Sequence, residues 1–262
     1  MKNSFVHQEK PLITAMILEK TPEAAIEKIR LSLEGGAEAL GFQLEKLERK
    51  YMNQADLQRI FAACEGKPIY ATVYRKGTDA EYTDEECAEY LLLALSAGAD
   101  LLDIFGDMFD ESPYYQIAEE PEAVRKQKAL AEEIHKRGGE VLISSHTWKP
   151  LSVDENLMIA RAQAERGADV IKIVDSSDDP EDIPGFIESI RRIREETGKK
   201  LLFLVGGKDR IIREIGPALG VCMYLVVHHY GEFDPDVQPL LEDVVAIDRH
   251  IRYLPGTWEK AE

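Results

Sequence analysis

Lys172 is the residue of this sequence whose type and position point most directly to chemistry. It lies in the apolar run Val170–Val174, where a charged ammonium is costly to bury. Burial of an amine lowers its pKa toward neutrality, and a neutral amine attacks a carbonyl carbon to form an imine. The alternative interpretation is that Lys172 extends to solvent or pairs with Asp175.

His146 is the second candidate, because it stands where the apolar run Val141–Ser145 ends. A neutral imidazole at that point could carry protons to and from a substrate and an imine nitrogen. A histidine that only hydrogen-bonds a loop is the alternative. Since Lys172 lies near the end of the next apolar run, we favour the catalytic interpretation for both residues.

Two arginines occupy similar positions and are candidates for substrate binding. Arg75 closes the run Ile69–Tyr74, and Arg213 follows the run Leu201–Val205. A guanidinium at a strand end suits bidentate binding of a carboxylate. Either arginine could instead pair with one of the many acidic side chains on the surface.

The sequence contains one cluster that resembles a metal site, formed by His228, His229, Glu232 and Asp234. Adjacent residues of a strand point to opposite faces, so the two histidines cannot readily bind one ion. We therefore predict no metal, and imine chemistry on Lys172 would need no external cofactor.

The elements that position these residues are short apolar runs separated by amphipathic segments with a helical period. We predict eight strands, at Leu12–Ile17, Ala39–Leu44, Ile69–Tyr74, Leu101–Phe105, Val141–Ser145, Val170–Val174, Leu201–Val205 and Val221–Val227. Helix N-cap signals occur at Thr21-Pro22, at Thr83–Glu86 and at Asp179-Pro180.

A repeated motif of glycine, alanine and an acidic residue introduces three of the predicted strands, at Gly36, Gly98 and Gly167. Glycine there permits the left-handed turn that ends a helix. Alternating strands and helices fit either a closed barrel or an open doubly wound sheet. Since no G-x-G-x-x-G follows the first strand, we predict a single-domain (β/α)8 TIM barrel over residues 1–262.

The longest irregular segment, residues 106–120, contains Met108-Phe109 and Tyr114-Tyr115. At this length a lid over the active site is one interpretation of the segment. In a barrel the active site forms at the carboxyl ends of the strands, where the candidate residues lie.

Composition narrows the class of function. The net charge of -17 argues against nucleic acids and anionic membranes as partners. The three cysteines lack metal-ligand spacing and indicate a reducing, cytoplasmic location. We see no signal peptide and no apolar run long enough to span a membrane.

The chain resembles the type I 3-dehydroquinate dehydratase family, whose members form a Schiff base in the shikimate pathway. The resemblance rests on Ile143–His146 and on the later segment Glu165–Ile173, which are similar to the family's S-x-H strand and its G-A-D-x-x-K-I strand. It implies that His146 is the family's histidine and that Lys172 is its imine-forming lysine. Tyr74-Arg75 is similar to the family's F-R pair, and Arg213 falls at its carboxylate-binding arginine.

Three departures from the family pattern concern residues that contact the substrate or the histidine. The family's E-W-R-x-D strand is replaced by Gly41–Glu45, so that glycine and Gln43 stand where glutamate and arginine are expected. Its D-L-E strand appears as Asp103–Phe105, and its S-x-P-G-Q loop as Glu232–Gln238. Since lost hydrogen-bond partners change specificity, these departures indicate a changed substrate.

Our leading hypothesis is a lyase that removes water from 3-dehydroquinate or a related hydroxylated keto compound. Lys172 would form the imine, His146 would act as general acid and base, and Arg213 with Arg75 would hold the substrate. The alternatives are a class I aldolase, a barrel that binds a ligand without turnover, and a metal-dependent isomerase or hydrolase. The expected partner is a small-molecule hydroxy-ketone or keto-acid, and a homodimer is compatible with the sequence.

Overall fold

The eight strands form one parallel sheet in the computed structural model, which describes residues 3–112, 114–254 and 257–258. The strands are β1 Leu12–Ile17, β2 Ala39–Gln43, β3 Ile69–Thr72, β4 Leu101–Phe105, β5 Glu140–His146, β6 Val170–Ser176, β7 Lys200–Gly206 and β8 Met223–Val226. Most of their residues are buried, as expected for strands that are covered on both faces.

A helix follows each strand. The helices are α1 Pro22–Glu34, α2 Gln54–Ala62, α3 Asp84–Ala97, α4 Pro121–Lys136, α5 Val153–Glu165, α6 Ile183–Thr197, α7 Ile211–Ile215 and α8 Leu241–His250. The predicted caps form at Thr21, which accepts a hydrogen bond from Ala24 N, and at Thr83, which makes a capping box with Glu86. Asp179 instead caps a short 3-10 turn that precedes α6.

The strand order is β7-β6-β5-β4-β3-β2-β1-β8, so β7 and β8 are the two ends of the sheet. The backbone N–H of Cys222, next to β8, donates to the carbonyl oxygen of Leu201 in β7 at 2.7 Å and brings those ends together. This arrangement confirms the predicted (β/α)8 barrel. The three repeated glycines have φ between +99° and +123°, a range that disfavours side chains.

The structure differs from the predicted strands mainly at their ends. β5 and β6 extend to His146 and Ser176, while β3 ends at Thr72, before Tyr74. The register pairs Ser144 of β5 with Lys172 of β6, so that the candidate residues share one end of the barrel.

Residues 106–120 connect β4 to α4 and pack against the barrel. Buried Arg166 donates to the carbonyl oxygens of Gly106 at 3.0 Å and Ala118. The backbone N–H of Ala118 also donates to Gly106 O at 2.8 Å. These bonds hold both ends of the segment in place, whereas the interpretation as a lid requires it to move. Pro113, within this segment, lies outside the described residues.

Candidate active site

Lys172 lies inside the barrel with 4 % of its surface exposed, and its amine has three polar neighbours. Nζ donates to Asp103 Oδ2 at 3.0 Å, to the hydroxyl of Tyr70 at 3.0 Å and to that of Tyr74 at 3.3 Å. Asp103 comes from β4 and is 1 % exposed, so this ion pair is almost entirely excluded from water. Because the pair is buried, removing one partner would strongly destabilise the protein by leaving the other charge unpaired and out of water.

The alternative in which Lys172 pairs with Asp175 is not what the structure contains. Asp175 accepts hydrogen bonds from Thr147 Oγ1 at 3.0 Å and from Asn156 Nδ2 at 3.0 Å, on the outer side of β6. Adjacent strand residues alternate between faces, which explains why Lys172 and Asp175 point in opposite directions. Burial raises the pKa of the Asp175 carboxyl to about 6.

Tyr70 and Tyr74 supply the hydroxyls that surround the ion pair. Both donate to Asp103 Oδ2, Tyr70 at 2.6 Å and Tyr74 at 3.3 Å. Burial, and then the negative charge of Asp103, raise the pKa of each tyrosine well above its ordinary value. The two phenols therefore stay protonated and act as hydrogen-bond donors at neutral pH.

His146 ends β5, and its ring packs against that of Tyr74 in a T-shaped arrangement with 5.6 Å between the ring centroids. Burial, followed by the positive charge of Lys172, lowers the pKa of His146 to about 3. The imidazole is consequently neutral at physiological pH, the form that accepts a proton from a substrate. Arg213 contributes to the same lowering of the pKa, which places its charge near His146 as well.

Arg213, on α7, has 7 % of its surface exposed and donates from Nε to the carbonyl oxygen of Val205 at 2.7 Å. Burial lowers the pKa of its guanidinium to about 10. Among the residues whose side chains the structure describes, no carboxylate lies within ion-pair distance of Arg213. A buried cation without a counter-ion is suited to an anionic ligand.

Arg75 has the opposite environment. Its Nε and Nη2 bind the two carboxylate oxygens of Asp84 at 2.7 and 2.9 Å, and Nη1 lies 3.2 Å from Asp107 Oδ1. These bonds tie the end of β3 to the start of α3 and to the segment after β4. The geometry favours the interpretation in which Arg75 forms ion pairs. Substrate binding by Arg75 stays a prediction.

The glycine at position 41 is explained by packing. A Cβ there would collide with Met16 Sδ and approach Tyr70 Cδ1 to 3.1 Å. The Tyr70 ring therefore crosses the space next to β2, where the family pattern has a glutamate. The polar group that faces Lys172 from this side of the barrel is the phenol of Tyr70.

Several residues of the site were not identified as candidates from the sequence. They are Asp103, Tyr70, Tyr74, Gln116 and Glu45. Asp103 carried the same signal as Lys172, since it is a charged residue inside an apolar strand. Tyr70 and Tyr74 are separated by an even number of residues, which places them on one face of an extended segment. Burial raises the pKa of the Glu45 carboxyl, just after β2, to about 7.

The other sequence candidates give no second site. His228 and His229 lie with their Nδ1 atoms 3.1 Å apart after β8. Within the described residues, no group of three or more histidine, cysteine, aspartate or glutamate side chains could hold a metal ion. In the same part of the chain, no helix is long and apolar enough to cross a membrane.

Comparisons with known proteins agree with this architecture. The family model for type I 3-dehydroquinase matches residues 13–229. A curated 3-dehydroquinate dehydratase from Alkaliphilus oremlandii (strain OhILAs) is 34% identical over 89 residues, which are 33% of this chain and 35% of that relative. The match thus spans about a third of the relative's length.

Solved structures share the fold over nearly the whole chain. The 3-dehydroquinate dehydratase from Geobacillus kaustophilus HTA426 has a TM-score of 0.78 at 16% identity, covering 91% of this chain and 90% of that one. The enzyme of the same name from Enterococcus faecalis has a TM-score of 0.75 at 16% identity, covering 94% and 95%. At this level of identity the likeness supports the barrel itself.

Proposed function

Because the chain belongs to the type I 3-dehydroquinase family, we propose that it is a lyase that eliminates water from 3-dehydroquinate or a related hydroxylated keto compound through an imine on Lys172. The observation that carries this proposal is the buried amine of Lys172, held 3.0 Å from the carboxylate of Asp103. A carboxylate at this distance can accept the proton that an ammonium must lose before it attacks a carbonyl.

The first half of the reaction forms the iminium. Lys172 Nζ, after transferring a proton to Asp103, adds to the substrate carbonyl carbon and opens the C=O bond. One proton moves from the new C–N nitrogen to the oxygen, and Asp103 returns the proton that it took from Lys172. The carbinolamine thereby loses its oxygen as water, and a C=N bond forms. The positive iminium withdraws electrons and acidifies the neighbouring C–H bond.

The second half eliminates water. Neutral His146 takes the proton from that carbon, and the electron pair forms a C=C bond as the β-hydroxyl departs. The imidazolium returns its proton to the departing oxygen, so His146 ends neutral. Water then hydrolyses the iminium and releases the unsaturated ketone from Lys172.

Substrate binding rests on Arg213, whose buried guanidinium faces no carboxylate among the described side chains. We assign it to a carboxylate of the substrate. The second oxygen of Asp103, Oδ1, is buried and has no hydrogen-bond partner among the described residues, so it is available to a substrate hydroxyl. The substrate class we propose is accordingly a small hydroxylated keto-acid.

The same proposal includes a cytoplasmic location, supported by three buried free cysteines, Cys64, Cys87 and Cys222. We also propose that the protein acts without a nucleic-acid or membrane partner, because its net charge of -17 would repel phosphate groups. The proposal is compatible with a homodimer, and the molar mass in solution would test that assembly.

The function is tested by incubating the protein with 3-dehydroquinate and with a panel of hydroxylated keto-acids, with and without borohydride. We expect a product that has lost one water and, after reduction, a covalent adduct on Lys172. Two carbon fragments in place of a dehydrated product would support the class I aldolase. Binding without product or adduct for every compound would support a ligand-binding barrel and overturn the lyase.

Arg213→Met is expected to raise KM for carboxylate substrates by about 10- to 150-fold, because a hydrogen bond to a charged group contributes about 1.5–3 kcal/mol. We expect kcat to change less, since the carboxylate is bound in both ground and transition states. Steady-state kinetics would measure both constants.

Arg75→Met is the matched control for Arg213. Its guanidinium is already bound by Asp84 and Asp107, so its loss should lower the melting temperature and leave KM nearly unchanged. The assignment of Arg213 fails if Arg213→Met keeps the wild-type KM, and the roles are reversed if Arg75→Met alone raises it.

A further inference from the structure

His146 is oriented by a side chain that the sequence pattern gave no reason to expect. Gln116 lies in the segment between β4 and α4, and its Oε1 accepts two hydrogen bonds from His146. One comes from the backbone N–H at 2.6 Å, and the other involves ring Nδ1 at 2.7 Å. The family pattern has a glutamate at the end of β4 for contact with the histidine, but Phe105 stands there.

The backbone N–H determines how these two bonds are arranged. A backbone amide can only donate, so the Gln116 atom that faces it must be the carbonyl oxygen and not the NH2 group. That oxygen cannot donate to Nδ1. The ring nitrogen must therefore carry the proton, since two facing lone pairs at 2.7 Å would repel. With Nδ1 protonated, Nε2 is left as the basic atom of His146.

The backbone of Gln116 is held in a conformation that serves this contact. Its φ of +48° lies in the left-handed region, which is strained for a residue other than glycine. The Gln116 carbonyl oxygen accepts from Ser145 Oγ at 3.0 Å, and it passes so close to Gly106 that a Cβ there would collide with it. Strained residues of this kind persist where the surrounding contacts impose them.

A hydrogen-bond chain joins this contact to the strand that carries the proposed nucleophile. Ser145 Oγ accepts from Gln163 Nε2 at 3.0 Å. The fully buried amide of Gln163 in turn donates to Lys172 O and accepts from Lys172 N, both at 3.0 Å. Gln116, His146 and the backbone of Lys172 are thus fixed relative to one another.

We infer that Gln116 is a positioning residue that fixes the Nδ1–H tautomer of His146 and presents Nε2 as the base, in place of the missing strand-four glutamate. The inference rests on the proposed lyase function for its catalytic meaning. The neutral amide of Gln116 orients the ring but, unlike a carboxylate, brings no negative charge to stabilise the imidazolium. This difference can be measured as the pKa of His146.

The charges that face His146 are those of Lys172 on β6, Asp103 on β4 and Arg213 on α7, and Tyr74, just after β3, contacts its ring. Two cations and one anion therefore act on the imidazole in this protein. Gln116→Glu adds a second anion at the Nδ1 contact. Because a carboxylate near an imidazolium stabilises it, the pKa of His146 should rise by about 1–3 units.

The test combines ¹⁵N NMR of the histidine ring with the pH dependence of kcat. In the wild-type protein at pH 7 we expect Nδ1 protonated and Nε2 unprotonated. Gln116→Glu should keep that tautomer and move both the His146 titration and the acid limb of kcat upward. Gln116→Met should remove the tautomer preference and lower kcat by about 3- to 10-fold, the effect of one lost hydrogen bond.

Tyr115→Phe is the matched control, because it removes the neighbouring bond from Tyr115 OH to Glu155 (3.0 Å) without touching His146. It should leave the tautomer and the pH profile unchanged. A wild-type protein with the proton on Nε2, or a Gln116→Met variant with unaltered tautomer and titration, would overturn the inference. Since the NMR readout needs no turnover, it separates this result from a failure of the lyase function.

Discussion

Replacing Lys172 by methionine is expected to lower kcat for water elimination by about 10⁵–10⁶-fold, the scale on which loss of a catalytic nucleophile acts. Methionine fills a similar volume but has no amine, so no iminium can form and the substrate C–H bond is not acidified. Mass spectrometry after borohydride reduction should find the adduct on wild-type Lys172 and none on the variant. Single-turnover product formation would give the rate.

Two controls distinguish loss of the nucleophile from loss of structure. Lys172→Arg keeps a cation beside Asp103 but offers no nucleophilic amine, so it should fold and remain inactive. Lys28→Met removes another buried lysine, 2 % exposed and paired with Asp234 at 2.6 Å. It should lower the melting temperature, because it also breaks a buried ion pair, but retain both turnover and the adduct. Turnover by Lys172→Met within tenfold of wild type would show that the reaction does not use this amine.

The fold was predictable because its signals are local. β1 and β4 have the predicted bounds, and the Thr21 and Thr83 caps mark helices that begin where the residues indicated. Errors fell at strand ends, namely at both ends of β5, β7 and β8 and at the carboxyl ends of β2, β3 and β6. At the carboxyl end of β5, the polar residue His146 continues the strand because it faces the mouth of the barrel. A strand predicted from a run of apolar residues ends before such a residue.

The candidate site was predictable only in part, because single residues leave a signal in the sequence, whereas the pairing between residues of different strands does not. Lys172 and His146 stand out as polar residues at the ends of apolar runs. That Asp103 meets Lys172 across the barrel depends on the closure of eight strands, since β4 and β6 are not adjacent. The sequence-based expectation of an unpaired lysine, or one bound to Asp175, followed from considering only one strand.

Gln116 was beyond sequence reasoning for a different physical reason. Gln116 has a φ of +48° within an irregular segment, which is held by Arg166 at the end of α5 and by close contact with Gly106. No period or motif encodes such a path. The absent glutamate at Phe105 was visible in the sequence, but the residue that occupies its place in space was not.

The second large effect is expected for Asp103→Asn, which should lower the rate of imine formation by about 10²–10⁴-fold. Asparagine keeps the shape of aspartate but cannot accept the proton that Lys172 must lose. The rate of adduct formation, measured by quenching with borohydride at successive times, should fall. Elimination from the imine should change less, because we assign that proton transfer to His146.

The variant also tests how the ion pair affects the protein without substrate. Removing one partner of a buried pair costs about 3–5 kcal/mol, so thermal unfolding should shift downward together with activity. Asp103→Glu preserves the charge and separates the two effects, since it should recover stability and part of the rate. Tyr70→Phe removes only the 2.6 Å hydrogen bond to Asp103 and should cause a smaller loss. If Asp103→Asn forms the imine within threefold of the wild-type rate, the carboxylate is a structural counter-ion and another group removes the proton from Lys172.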